Sequence, residues 1–262
     1  MLIAVLMMAS CTSAPKNFKF QKLAYADTTG YCTVSLSVEL PKGHSKAERI
    51  IRDTLIAYLD GETRFFDIES DSPAFEAYLG KTSKLDKCVS YYAGNFFRTI
   101  EEMAEMDGTH YPWDYDIVIE RIGNSDKYIV FDCYSYIYLG GAHGGVSNAG
   151  PMTFRLSDGK KIEKFIDDSA LMYMQEPFRK GLIEYLKECG EDVTEENLFD
   201  MTFIDDGVIP FPINQPAPSK DGLVFTFQQY EIAPYAIGMP SFTVPYEELA
   251  PYLTEEARSI LE

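Results

Sequence analysis

The sequence predicts an α+β fold, an antiparallel or mixed sheet with helices packed against one face, in two consecutive halves. Three observations predict it. Alternating apolar residues run through 18–40 and 113–139, at the period of two that half-buried strands require. Between them, 45–60 and 85–106 carry apolar residues at helical spacing. The Ser157-Asp158-Gly159 turn then ends this series, and a second one with its own helices and strands follows. The halves are therefore set at 18–157 and 158–262.

Taken in order, Phe18–Asp27 and Tyr31–Leu40 form a hairpin about Thr28-Thr29-Gly30. Cys32, Val34, Leu36, Val38 and Leu40 share the buried face of its second arm. Ser45 with Glu48 three residues later is a capping box, opening a helix that Gly61 closes after Asp60. Helices are expected over Pro73–Leu79 and Leu85–Met106, the latter with Val89, Tyr92, Ala93, Phe96, Phe97 and Ile100 along one stripe. Trp113–Ile122 is a strand that turns at Gly123-Asn124-Ser125-Asp126 into the central strand, and Met152–Leu156 follows as another.

The second half opens with a helix over Ala170–Glu188, in which Pro177 is tolerable as a kink or in a new first turn. A short helix over Glu195–Asp200 comes next. Four prolines make 209–218 an extended loop. Strands are expected at Leu223–Gln229 and Ser241–Val244. Pro245, Glu247 and Glu248 suit a helix start, and Glu255–Leu261 is a last helix.

Composition narrows the function. The 262 residues carry 41 Asp+Glu against 23 Lys+Arg, a net charge of −18, so a phosphate-tracking nucleic-acid binder is excluded in practice. The acidic balance suits solubility or a basic partner. The apolar opening MLIAVLMMASC resembles the tail of a lipoprotein signal peptide with Met8-Ala9-Ser10-Cys11 as the lipobox and Cys11 as the lipidation site. The missing basic n-region allows a start upstream of Met1. Residues 1–17 are then a signal remnant and polar tether, and the protein is expected in the cell envelope, exported and held by its lipid alone, periplasmic or surface-exposed. Cys32, Cys88, Cys133 and Cys189 leave three disulfide pairings open, with reduced buried thiols slightly favoured. There is no C-x-x-C, no zinc spacing and no P-loop, so neither metal nor cofactor is expected.

The chain is organised around Lys127–Gly145, KYIVFDCYSYIYLGGAHGG. One face of this strand (Ile129, Phe131, Cys133, Ser135, Ile137, Leu139) is ordinary core. The other is Tyr128, Val130, Asp132, Tyr134, Tyr136 and Tyr138, a row whose rings and hydroxyls suit protein interfaces and sugars. Asp132 in that row argues against complete burial. His143 lies among glycines that permit close approach, yet no credible nucleophile accompanies it; Gly145–Gly150 misses the nucleophile-elbow spacing by one residue. A hydrogen-bonding role in the turn is the simpler account, and no catalytic residue is assigned. Asp114 and Asp116 share one strand face, a weak cation site by spacing.

Two stretches carry a family resemblance: YSYIYLGGAHGG (Tyr134–Gly145) and DGLVFTFQQYEIAPYAIGMPSFTVPYEEL (Asp221–Leu249). They resemble the exported two-part domain of unknown function shared by lysozyme-sensing anti-sigma factors of the RsiV type and peptidoglycan deacetylases of the PdaC type. The resemblance implies an α+β envelope module that binds lysozyme-like protein or cell-wall glycan. Within these stretches, Tyr134, Tyr136, Tyr138, His143, Tyr230 and Tyr235 are the candidate ligand-binding residues. Neither a sigma-binding segment nor a deacetylase domain is read in the sequence, so a stand-alone, non-catalytic, lipid-anchored module is expected. The alternative is a cell-wall hydrolase or deacetylase using His143.

Overall fold

A computed structural model describes residues 18–64, 75–108, 111–141 and 144–262. The expected α+β architecture is present, with a mixed sheet and helices in two halves. In the first half, β1 (Phe20–Thr28) and β2 (Cys32–Pro41) form the antiparallel hairpin. Helices α1 (Lys46–Thr63) and α2 (Leu85–Asp107) follow, then β3 (Trp113–Asn124), β4 (Tyr128–Tyr138), β5 (Val146–Ala149) and β6 (Met152–Arg155). The sheet order is β1-β2-β3-β4-β5, and β6 shares the outer edge of β4 with β5.

The β2–β3 pairing is parallel while the others are antiparallel. A parallel step needs a long crossover, and here it contains α1 and α2. Both helices pack on one face, burying Ile51, Leu55 and Leu59 of α1 and Val89, Phe96 and Ile100 of α2 against Leu36, Ile117 and Phe131. Each such side chain contributes roughly 1.5–3 kcal/mol on burial. Among the described residues, the opposite sheet face receives no helix from this half.

The helix ends are chemically specified. Ser45 Oγ accepts from the Glu48 N–H at 3.2 Å and Glu48 returns the bond to the Ser45 N–H, closing the capping box. Gly108 ends α2 in the left-handed conformation (φ 62°) that glycine adopts cheaply. Gly61 does not end α1, which runs on to Thr63; there Thr63 Oγ1 donates to the Leu59 carbonyl, and the interior glycine is carried by tertiary burial. The helix expected over Pro73–Leu79 is corrected where it is described: 75–79 is irregular, held by Tyr92 and Tyr91, whose hydroxyls bond the Tyr78 N–H and the Glu76 carbonyl.

The second half has its own core. α3 (Gln175–Glu188) lies against the antiparallel sheet β7 (Ala217–Pro218), β8 (Gly222–Thr226) and β9 (Ser241–Pro245), followed by α4 (Tyr246–Leu249) and α5 (Glu255–Leu261). Pro177 falls in the first turn of α3, where its missing N–H costs nothing. Phe178 packs edge-on to Phe225 (4.9 Å) and Phe242 (5.5 Å). The short helix expected at Glu195–Asp200 is a 3-10 turn at Leu198–Met201 instead. Between the cores, the turn closed by Arg155 and Asp158 (2.8 Å) leads to Gly159, where a Cβ would strike the backbone of Ala47.

The four described cysteines are free thiols: Cys32, Cys88 and Cys133 are buried and Cys189 is exposed. Among the described residues no helix is long and apolar enough to cross a membrane, and no His/Cys/Asp/Glu cluster fits a metal ion.

Candidate binding face

Strand register dictates what the helix-free face of the first sheet displays. Residues paired across a sheet share a face. Asp116 pairs with Tyr136, and Asp114 with Tyr138. On the other side Ser35 pairs with Asp116 and Thr33 with Asp114. Val118 and Tyr134, then Glu120 and Asp132, complete the face toward the second half. It is thus a floor of small hydroxyls and carboxylates bordered by tyrosines.

The tyrosine row is divided between two roles. At one end the second half covers it: Tyr128 packs against the second core beside Tyr246, while Val130 is fully buried. At the other end Tyr134, Tyr136 and Tyr138 stay half-exposed. Tyr134 shares a 2.9 Å hydroxyl bond with Ser147, and Tyr138 donates to the Gly141 carbonyl at 2.9 Å. Gly140 and Gly141 both have positive φ (81° and 105°), the conformation this turn needs and glycine supplies.

A loop of the second half forms the wall beside this floor. Tyr235 donates to the Gly145 carbonyl at 2.7 Å. A Cβ on Gly144 would lie 2.3 Å from the Tyr235 hydroxyl, and one on Gly145 2.3 Å from the Tyr136 ring. The glycines are therefore the surface on which two tyrosine rings rest. Tyr230 lies tilted against Tyr235 (5.7 Å between centroids) and is 50% exposed. Its φ is +65°, the single positive value among described non-glycine residues. Its neighbours impose it: Gln229 accepts from the Ser147 N–H at 2.6 Å, and Glu231 takes the N–H groups of Gln228 and Ile213, both at 2.7 Å. Strain of this kind is held where the surroundings over-determine it.

The electrostatics are one-sided. Burial, then the neighbouring Asp116 carboxylate, holds Asp114 above the usual carboxylate range, with a Thr33 hydrogen bond opposing. Ser35 donates to Asp116 at 2.6 Å. Burial and then Glu120 push Asp132 up to about 6. Burial, Asp114 and Tyr235 raise the Tyr136 hydroxyl. Among the described residues, no lysine or arginine forms an ion pair with Asp114, Asp116, Glu120 or Asp132.

Of the six candidate ligand-binding residues, the fold rests Tyr235 and Tyr136 on Gly144 and Gly145, with Tyr230 beside Tyr235, Tyr134 on Ser147 and Tyr138 at the rim. His143 and Cys11 lie outside the described residues. Sequence reasoning missed Gln228 and Gln229, whose carboxamides fix the wall to β5. The available signal was the Gln-Gln pair at the end of an apolar strand, where neither side chain has a core to enter.

The family model described as "Protein of unknown function (DUF3298)" matches residues 163–247, which takes in most of the second core and the loop bearing Tyr230 and Tyr235. The fold is similar to a DUF3298 family member from Bacteroides fragilis NCTC 9343, with a TM-score of 0.65 and 17% identity over 92% of this chain and 95% of that one. It is also similar to a DUF3298 family protein from Pseudomonas aeruginosa PAO1, with a TM-score of 0.57 and 13% identity over 93% and 97%. At these identities the likeness is one of fold. No curated protein matches the chain.

Proposed function

We propose that the chain is a non-catalytic binding module of the cell envelope, lipid-anchored through Cys11, whose tyrosine–carboxylate face takes a lysozyme-like protein. The observation that carries this reading is the face itself: half-exposed tyrosines around unpaired carboxylates, on the side of the sheet that the crossover helices leave open. Exposed aromatics with hydroxyls are what protein interfaces use as anchors. A net charge of −18 favours encounter with a basic protein. The resemblance of Tyr134–Gly145 and Asp221–Leu249 to the exported lysozyme-sensing domain supports the same ligand.

Titration of the purified full chain with lysozyme tests it. Saturable binding that persists at about 0.15 M salt, where exposed charges are screened beyond roughly 8 Å, supports the reading. Tyr134→Ala and Tyr136→Ala should then speed dissociation. Binding that vanishes with salt, or binding only to soluble peptidoglycan fragments, overturns the protein ligand, and the second result assigns the face to glycan. Fractionation of cells carrying Cys11→Ala tests the anchor: the variant should leave the membrane fraction.

A further inference from the structure

We infer that this face is an arginine socket: Asp114 and Asp116 with Tyr136 and the wall tyrosines Tyr230 and Tyr235 receive a guanidinium group from the surface of a basic protein. The inference rests on the protein-binding reading above and specifies which chemical group the partner must present.

Three features select that group. The first is uncompensated charge. Asp114 and Asp116 project from one strand with no described lysine or arginine pairing either of them, and their repulsion adds to the burial that holds Asp114 in an unfavourable charged state. A cation between them relieves both effects. The second is shape. Ser35 and Thr33 already occupy one side of the carboxylates, which leaves the side toward β4 and its tyrosines for an incoming donor. Guanidinium is a planar fork that pairs with carboxylates and stacks on aromatic faces, whereas ammonium is a compact, strongly hydrated point charge. The third is the aromatic wall. Tyr230 is held at positive φ by the hydrogen bonds of its neighbours Gln229 and Glu231 and stays half-exposed beside Tyr235, so an aromatic surface is displayed there at a conformational cost. A cation over such faces is attracted to the ring quadrupole. A neutral glycan would stack on the rings and hydrogen-bond the carboxylates through its hydroxyls, but it would leave their charge uncompensated.

The test uses the full chain and three forms of lysozyme: unmodified, lysine-acetylated, and arginine-blocked with a dicarbonyl reagent. Blocking arginine should weaken binding at least tenfold, and more than acetylation does, although each removes positive charge. On the module, Asp114→Asn with Asp116→Asn should weaken unmodified lysozyme at least tenfold without lowering the melting temperature. The control pair Glu102→Gln with Glu105→Gln removes the same charge from exposed sites on α2, across the sheet, and should change the affinity less than twofold. Tyr136→Phe, which keeps the ring, should bind nearly as wild type, and Tyr136→Leu should not. Equal weakening by the two acidic pairs, or equal sensitivity to both modifications of lysozyme, overturns the socket and leaves the protein-binding reading standing. No binding of unmodified lysozyme by the wild-type chain overturns both.

Discussion

The carboxamide of Gln228 hydrogen-bonds both main-chain groups of Ala149, accepting from its N–H at 2.9 Å and donating to its carbonyl at 3.0 Å. Asn214 donates to the same carbonyl at 2.9 Å, and Gln229 accepts from the Ser147 N–H. The outer edge of β5 is thus paired with side chains of the second half rather than with another strand.

Removing that pairing should be costly. Gln228→Ala leaves the Ala149 N–H without its acceptor and should lower unfolding stability by about 1–3 kcal/mol. Denaturant titration measures the loss, and amide exchange should accelerate at Ala149 and Ser147 before the rest of the sheet. Unchanged protection at both amides would show that the carboxamide contact is incidental.

Tyr230 offers the opposite sign. Glycine accepts φ +65° without the Cβ penalty of roughly 1–2 kcal/mol. Tyr230→Gly should therefore match or exceed the wild-type melting temperature, less the small contact with Tyr235, while weakening ligand binding. Stability falling by several kcal/mol would mean that the ring is a structural element rather than a displayed one.

Gly145→Ala places a methyl 2.3 Å from the Tyr136 ring. The ring can swing, so the expected stability loss is modest, about 1–2 kcal/mol. The near-ultraviolet dichroism of the tyrosines should change and affinity should fall by more than the stability loss suggests.

Asp132 sets a pH dependence. Its folded pKa of about 6 lies above the ordinary carboxylate value, so between those limits the folded state binds more protons than the unfolded one. The charged form costs stability at neutral pH, and its contribution improves as pH falls from above 6 toward 4. Asp132→Asn should raise stability at pH 7 by about 1–2 kcal/mol, after allowance for partial exposure, and the gain should shrink at pH 4.5. Melting curves of both proteins across that window decide it.

Much of this arrangement is legible in the sequence because it follows from local rules. Ser45 and Glu48 mark a helix start by spacing alone, and the alternation of Tyr134, Tyr136 and Tyr138 marks a strand face. What is illegible depends on the other half of the chain. β5 spans four residues, too few for periodicity to register, and exists because β4 pairs one of its edges and Gln228 and Gln229 the other. The division of the tyrosine row depends on Tyr246 and Pro218 arriving beside Tyr128 and Val130 from far later in the chain. Asp114 and Asp116 are visible as a same-face pair, but their place opposite Tyr138 and Tyr136 is a matter of register.

The carboxamide closure of β5 also bears on whether the two halves are separable. An exposed strand edge templates pairing with other chains. A fragment ending before Asp158 keeps the first core entire but loses Asn214, Gln228 and Gln229, baring the main-chain groups of Ser147 and Ala149. Such a fragment is expected to aggregate through that edge even where it folds. The second half then acts toward the first as a resident chaperone, and duplication, fusion or exchange of either half alone would carry a solubility penalty that the pair together does not.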